Sequence, residues 1–201
     1  MTAPRLPAAA PIPLAEPGAG LPFLEGLISR YWLLPRSAKR MTWQDVDAMI
    51  EREGAKVLRV YEALKTEDRT TQVLVPRQRG LEDSSRYWSP AMVLEHLVEV
   101  GTQMQRVIID LSHGRIPPGK ADIAAVKPKG ANSHVTDASF RELYAQQTSY
   151  LAREVGNQDS PSRFVHPWFG AITARQWHWL MGTHTYIHRK QIEAVRAKLR
   201  S

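Results

Sequence analysis

Four stretches of this chain repeat apolar residues every three to four positions, and proline or glycine interrupts the sequence between them, which confines the chain to folds built from separate amphipathic helices. The last stretch is the clearest. Trp177, Leu180, Met181, His184, Ile187, His188, Ile192, Val195 and Leu199 share one side of a helix reaching about residue 199. Thr173 with Gln176 three residues later forms a capping box at its start. The first stretch, about 43 to 65, begins at Thr42, whose hydroxyl caps the helix while Asp45 sits in the first turn. Val46, Ile50, Val57, Val60, Tyr61 and Leu64 follow on one face.

The second helix opens at Ser89-Pro90, because serine caps and proline needs no amide partner at the first helical position. Val93, Leu97, Val100, Met104, Val107, Ile108 and Leu111 trace its buried face, and Gly114 ends it. The third runs from about Asp137 to Val155, with Phe140, Leu143, Tyr144, Gln147, Tyr150 and Leu151 inward and Gly156-Asn157 after it. The expected fold class is all-α: a four-helix bundle of the up-down-up-down type with long crossover loops.

The connections are long. Residues 66 to 87 are polar, with Gln72-Val-Leu-Val briefly extended, and Arg115 to Val135 holds too much proline and glycine for a helix. A turn-rich stretch from Ser160-Pro161 to His166-Pro-Trp-Phe-Gly170 precedes the fourth helix, and no sheet is expected. Residues 1–40 carry seven of the fourteen prolines. They read as a proline-rich N-terminal arm, flexible over the first twenty residues, with a short helix over 23–34 that packs on the body or on a second subunit. Residues 41–201 form the bundle domain.

The absence of cysteine excludes disulfides, thiolate metal sites and a cysteine nucleophile, so any metal must use histidine and oxygen. No apolar run is long enough to span a membrane and no secretory signal pattern opens the chain, which places it in the cytoplasm as an expectation. The net charge of +7 could attract nucleic acid. The basic residues are scattered, however, and the loop holding Arg115, Lys120, Lys127 and Lys129 has no aromatic interleaved for base stacking, so a basic surface is the preferred reading.

Three of seven histidines fall on faces that the helical period assigns to the core. His184 and His188, four residues apart, project from successive turns of one face and can reach one ion. His96 lies in the buried stripe of the second helix. Buried histidines are also satisfied by ordinary hydrogen bonds, and spacing alone leaves both readings open. If the second and fourth helices run the same way, His96 lies roughly 9 Å into one and the pair roughly 20 Å into the other, so the fourth must overhang by about two turns. His178 is expected at the surface and His113 as a cation at a helix C-terminus. His134 and His166 are read as loop residues in capping or packing roles. Trp168 and Phe169 either cover one end of the bundle or wall a pocket.

Trp88-Ser-Pro with Glu95-His96-Leu97, then His166-Pro-Trp-Phe-Gly-Ala-Ile-Thr with Gln176-Trp177, then His184-x-x-x-His188-x-x-Gln191-Ile192, together resemble the DinB-like superfamily of bacterial metal-binding four-helix bundles. The resemblance covers about residues 42 to 199. It implies that His96, His184 and His188 bind a divalent metal ion, for which zinc, nickel, iron and manganese are all suited to imidazole. Many members have two adjacent histidines where this chain has Ile187-His188, a departure that leaves the triad intact and removes an auxiliary base.

What the resemblance implies functionally is a metal-dependent enzyme, of transferase or hydrolase type, whose ion activates water or a low-molecular-weight thiol cosubstrate for reaction with a small-molecule substrate. Glu99, one turn beyond His96, is the candidate proton acceptor, and Gln191 a candidate hydrogen-bond partner to the ligand set. The alternative is a non-catalytic metal- or ligand-binding stress-response protein. A homodimer is expected from the resembled family and from the apolar patch around Trp32.

Overall fold

A computed structural model describes residues 13–128 and 137–200. Four long helices carry the core: α3 (Trp43–Glu62), α4 (Pro90–Ser112), α5 (Asp137–Glu154) and α6 (Ala174–Leu199). They follow two short N-terminal helices, α1 (Phe23–Ile28) and α2 (Leu34–Arg40). The capping chemistry forms as expected. Thr42 Oγ1 accepts from the Asp45 amide at 3.1 Å while the Asp45 carboxylate accepts from the Thr42 amide at 2.9 Å. Ser89 Oγ accepts from the Met92 amide at 3.3 Å, with Pro90 at the first helical position, and the Thr173 amide donates to Gln176 Oε1 at 3.0 Å.

The helix directions differ from simple alternation. Asp47 pairs with His178 and Glu53 with Arg189, so residue numbers rise together and α3 runs parallel to α6. Ser85 and Gln191 meet at one level, and His96 and His184 at the next, so α4 runs against α6. The ring of His113, at the end of α4, reaches the Glu154 carbonyl at the end of α5, which makes those two helices parallel. The order is therefore up-down-down-up, correcting the expected up-down-up-down pattern. The cause is the connection between Ser112 and Asp137: at about 3.3 Å per extended residue it is long enough to return along the whole bundle. The two-turn overhang of α6 survives this reversal, because His184 and His188 sit near the middle of the longest helix.

Two small hairpins correct the expectation of no sheet. Strand β1 (Val73–Leu74), within the stretch read as briefly extended, pairs antiparallel with β2 (Tyr87–Trp88). Strands β3 (Arg163–His166) and β4 (Gly170–Thr173) pair antiparallel around His166-Pro-Trp-Phe-Gly170. Each is too short for a period of two to stand out. Even so, β3 alternates, burying Phe164 and His166 and exposing Arg163 and Val165. Gly170 closes the second turn at φ 73°, where a side chain would be strained.

The core follows the apolar stripes, with Ile50, Val57, Leu97, Ile108, Phe140, Leu151 and Ile192 fully enclosed. Tyr150, expected inward, is 40% exposed, because it lies beyond the edge of the contact that α5 makes. His178 is the larger correction. It is 1% exposed, stacked on Trp43 at 3.9 Å, with Nε2 at 2.9 Å from Asp47 Oδ1. Six residues turn it about 120° from His184, and α6 packs on α3 along that second face. A single apolar stripe does not reveal a helix buried on two sides.

The N-terminal segment is helical from Phe23 to Arg40 with a π-helical turn over Ser29–Leu33. Leu34 and Ala38 bury their side chains, whereas Phe23, Leu24, Ile28, Tyr31 and Trp32 remain exposed. The first twelve residues of the expected arm, and His134 and Lys129 in the crossover, lie outside the described residues. No helix among the described residues is long and apolar enough to cross a membrane.

Candidate metal centre

α4 and α6 face each other with His96, His184 and His188 between them, and one ligating atom from each ring lies within 4.8 Å of the other two. The ring centroids are 5.0 Å apart for His96 and His184, 4.6 Å for His96 and His188, and 4.4 Å for His184 and His188. Two imidazole nitrogens at about 2.1 Å from one tetrahedral ion lie about 3.4 Å apart, so small ring rotations suffice for one ion to meet all three.

Hydrogen bonds at the far side of two rings decide which nitrogens face inward. His96 Nδ1 donates to the Val126 carbonyl at 2.8 Å, and His188 Nδ1 donates to Gln191 Oε1 at 2.7 Å. Both protons are thereby placed on Nδ1, and both Nε2 lone pairs are free for a cation. His96 Nε2 and His184 Nε2 approach to 3.0 Å, a separation that two lone pairs tolerate only with a proton or a cation between them. With the His96 proton on Nδ1, its Nε2 can only accept at that contact, from a cation or from His184.

Burial keeps all three rings neutral, which is the ligating form. It pushes His96 down to about 4 despite the Val126 bond, and it holds His184 and His188 well below their ordinary value, helped by the neighbouring histidines. The donor set therefore fits a divalent ion: three neutral imidazoles in an apolar interior, two of them with a fixed tautomer.

The partners of these rings are themselves anchored. The Gln191 side-chain amide donates to the Ser85 carbonyl at 2.6 Å, which turns its oxygen toward His188. Val126 is held by its neighbour Lys127, whose Nζ donates to Glu82 Oε2 at 2.6 Å, Ser84 Oγ at 3.0 Å and Ser85 Oγ at 2.6 Å. Burial would raise the Glu82 carboxyl, but Lys127 and the Gly20 amide outweigh it and hold it below 4.5. Trp88 packs edge-on to His96 at 5.0 Å and flat against His188 at 5.7 Å, excluding water from that side.

On the other side the three histidines open onto a cavity of about 460 Å³. Val100 and Met104 of α4, Phe164 and His166 of β3, Trp168, and Trp177 of α6 form much of its wall, with residues of the crossover. Trp168 thus walls a pocket, one of the two expected roles. His166 is buried in the capping and packing roles expected of it, accepting from the Trp168 amide and stacking on Phe169, and it also lines the same cavity.

Of the two candidate accessory residues, Gln191 is fully buried against His188. Glu99 is exposed, accepts a hydrogen bond from Gln103 Nε2 at 2.7 Å and does not line the cavity. The proton acceptor expected there is therefore absent from the site. One turn beyond His96 is close along α4, but Glu99 falls on the flank of the helix. The carbonyls of Val126 and Ser85 escaped sequence reasoning because a backbone acceptor has no residue signature. The burial of His166 did have a signal, its place two residues after Phe164 in a short alternating strand.

Comparison of the chain with known protein families, with curated proteins and with solved structures finds no match.

Proposed function

We propose that this chain is a DinB-like metal protein that holds a divalent ion at His96, His184 and His188 and acts on a small molecule in the adjoining cavity. The observation that carries this reading is the paired tautomer control: Val126 O and Gln191 Oε1 take the Nδ1 protons, so that Nε2 atoms converge where the cavity begins. Structural histidines in a core have no need of such convergence.

A bound ion would supply Lewis acidity, making a water or a thiol a better nucleophile. The residues of the chain bind and orient. Gln191 and Val126 hold two imidazoles in place, Trp88 keeps solvent from their outer faces, and the apolar wall from Met104 to Trp177 receives the substrate. The chain has no cysteine, so a thiol must come from a cosubstrate. The chemistry proposed for this arrangement is of transferase or hydrolase type.

The test is elemental analysis of untagged protein with a screen of low-molecular-weight thiols. About one divalent ion per chain is expected, zinc, nickel, iron or manganese, with loss of the ion in His184→Ala. Retention of a full complement of metal by that variant would overturn the reading.

One observation favours the second reading, a non-catalytic metal- or ligand-binding protein: the carboxylates lining the cavity, Glu82, Asp110 and Asp122, are all engaged elsewhere. A loaded protein that binds substrate analogues without turnover across the thiol screen would decide for it. A homodimer belongs to the proposal, with the exposed face of Phe23, Ile28, Tyr31 and Trp32 as its contact.

A further inference from the structure

His166 stands outside the triad, yet it lines the cavity onto which the triad opens, and it is only 8% exposed. Its ring is held between Phe169, stacked at 4.7 Å, and Trp177 at 5.4 Å. The backbone amide of Trp168 donates to His166 Nδ1 at 3.1 Å. An imidazole nitrogen that accepts cannot carry the proton, so the neutral ring carries it on Nε2. Burial pushes this ring down to about 4, so it is neutral at physiological pH. Nε2–H has no acceptor among the described residues. The donor belongs to a ring in the cavity wall, where a ligand oxygen would accept from it.

The charges around the cavity point to the kind of ligand. Lys127 is fully engaged with Glu82 and two serines. Asp110 pairs with Arg115, and the Asp122 carboxylate accepts from the amides of Ala124 and Ala125. Arg106 and Lys120 also line the cavity, both exposed, and neither has an ion-pair partner among the described residues. The acids are therefore occupied, while among the described residues the two cations and the His166 N–H have no partner, and neither do the indole N–H groups of Trp168 and Trp177. Between them lies an apolar wall.

We propose that the cavity selects a small amphipathic carboxylate, its apolar body against Met104, Phe164 and Trp177 and a carboxylate oxygen accepting the His166 Nε2–H, with Arg106 and Lys120 supplying the attracting charge. This rests on the reading of the cavity as a substrate site. His166 is then a specificity residue, distinct from the metal ligands.

The experiment uses the full chain stripped of metal with EDTA and three probes of equal length, octanoate, 1-octanol and octylamine, followed by titration calorimetry. Octanoate is expected to bind about tenfold tighter than either of the others, the scale of one hydrogen bond to a charged group. His166→Phe keeps the ring stack and removes the donor, and should cost octanoate about tenfold while leaving octanol within about twofold. His166→Gln, which retains an N–H near the same position, should recover most of the loss. Equal binding of the three probes overturns the proposal, and so does unchanged octanoate affinity in a folded His166→Phe. If that variant does not fold, the probe series on the unaltered chain together with His166→Gln decides. Zinc stoichiometry, measured separately, keeps the two readings apart: absence of zinc binding with octanoate selection intact removes the metal centre alone, and one zinc per chain without carboxylate selection removes this inference alone.

Discussion

Gln191 Oε1 accepts the Nδ1 proton of His188 at 2.7 Å, from a side chain whose own amide is tied to the Ser85 carbonyl on the loop before α4. The loop thus reaches His188 through Gln191, beside the direct packing of Trp88 on the same ring. Gln191→Leu should preserve the helix and weaken zinc binding about 10- to 100-fold, the usual consequence of losing a partner that orients a metal-bound histidine. Competition with a chromophoric chelator measures this. An unchanged affinity would mean that His188 needs no such orientation or is not a ligand.

Glu53 and Arg189 form a buried pair between α3 and α6, at 2.6 Å. Removing the Glu53 carboxylate leaves the buried Arg189 with Glu193 alone, so Glu53→Ala is expected to cost about 1–3 kcal/mol in urea unfolding. Replacing both partners with apolar residues of similar volume should cost much less. A double variant as unstable as the single one would contradict this account of the pair.

The same carboxylate makes stability depend on acid. Burial alone would raise its pKa, but hydrogen bonds from Lys56, Arg189 and Arg52 outweigh burial and hold the folded value below 4.5. A group depressed in the folded state stabilises it fully above the unfolded pKa, and that stabilisation disappears as pH falls through the folded value. Melting temperature should fall as pH drops below about 6.5, where the buried neutral histidines leave the unfolded state binding more protons, and Glu53 should add a further fall below 4.5 that is shallower in Glu53→Gln. Parallel curves for the two proteins would assign the acid sensitivity to other groups.

Gly54 sits in the middle of α3, where glycine ordinarily weakens a helix by about 1 kcal/mol relative to alanine. Here a Cβ would fall 3.0 Å or less from the Tyr144 ring on α5, so the close approach of the two helices requires its absence. Gly54→Ala should destabilise the protein by about 1–3 kcal/mol despite its better helix propensity. Stabilisation of the variant in a urea titration would show that Tyr144 moves aside freely.

Phe23, Leu24, Ile28, Tyr31 and Trp32 lie on the outside of the N-terminal helix. Sedimentation of the intact chain at micromolar concentration is expected to give a dimer, and Trp32→Arg with Tyr31→Ser to give a monomer of unchanged melting temperature. A monomeric parent protein would remove the dimer from the proposed function.

Much of the architecture is written in local chemistry. Thr42 with Asp45, Ser89-Pro90 and Thr173 with Gln176 mark where helices begin, and the apolar period marks which face each buries. Those two signals also put His96, His184 and His188 on core faces, because a helix fixes side-chain direction within a few residues. Tertiary structure alone decided the rest. A connection as long as the one between α4 and α5 allows either direction, so the up-down-down-up order follows from packing. Burial of His178 needed a second helix against α6, the orientation of His96 and His188 needed the Val126 carbonyl and the anchored Gln191, and the placement of His166 in the cavity wall needed the β3–β4 hairpin. Each depends on segments distant in the chain, and no periodicity within one segment encodes what another will bring beside it.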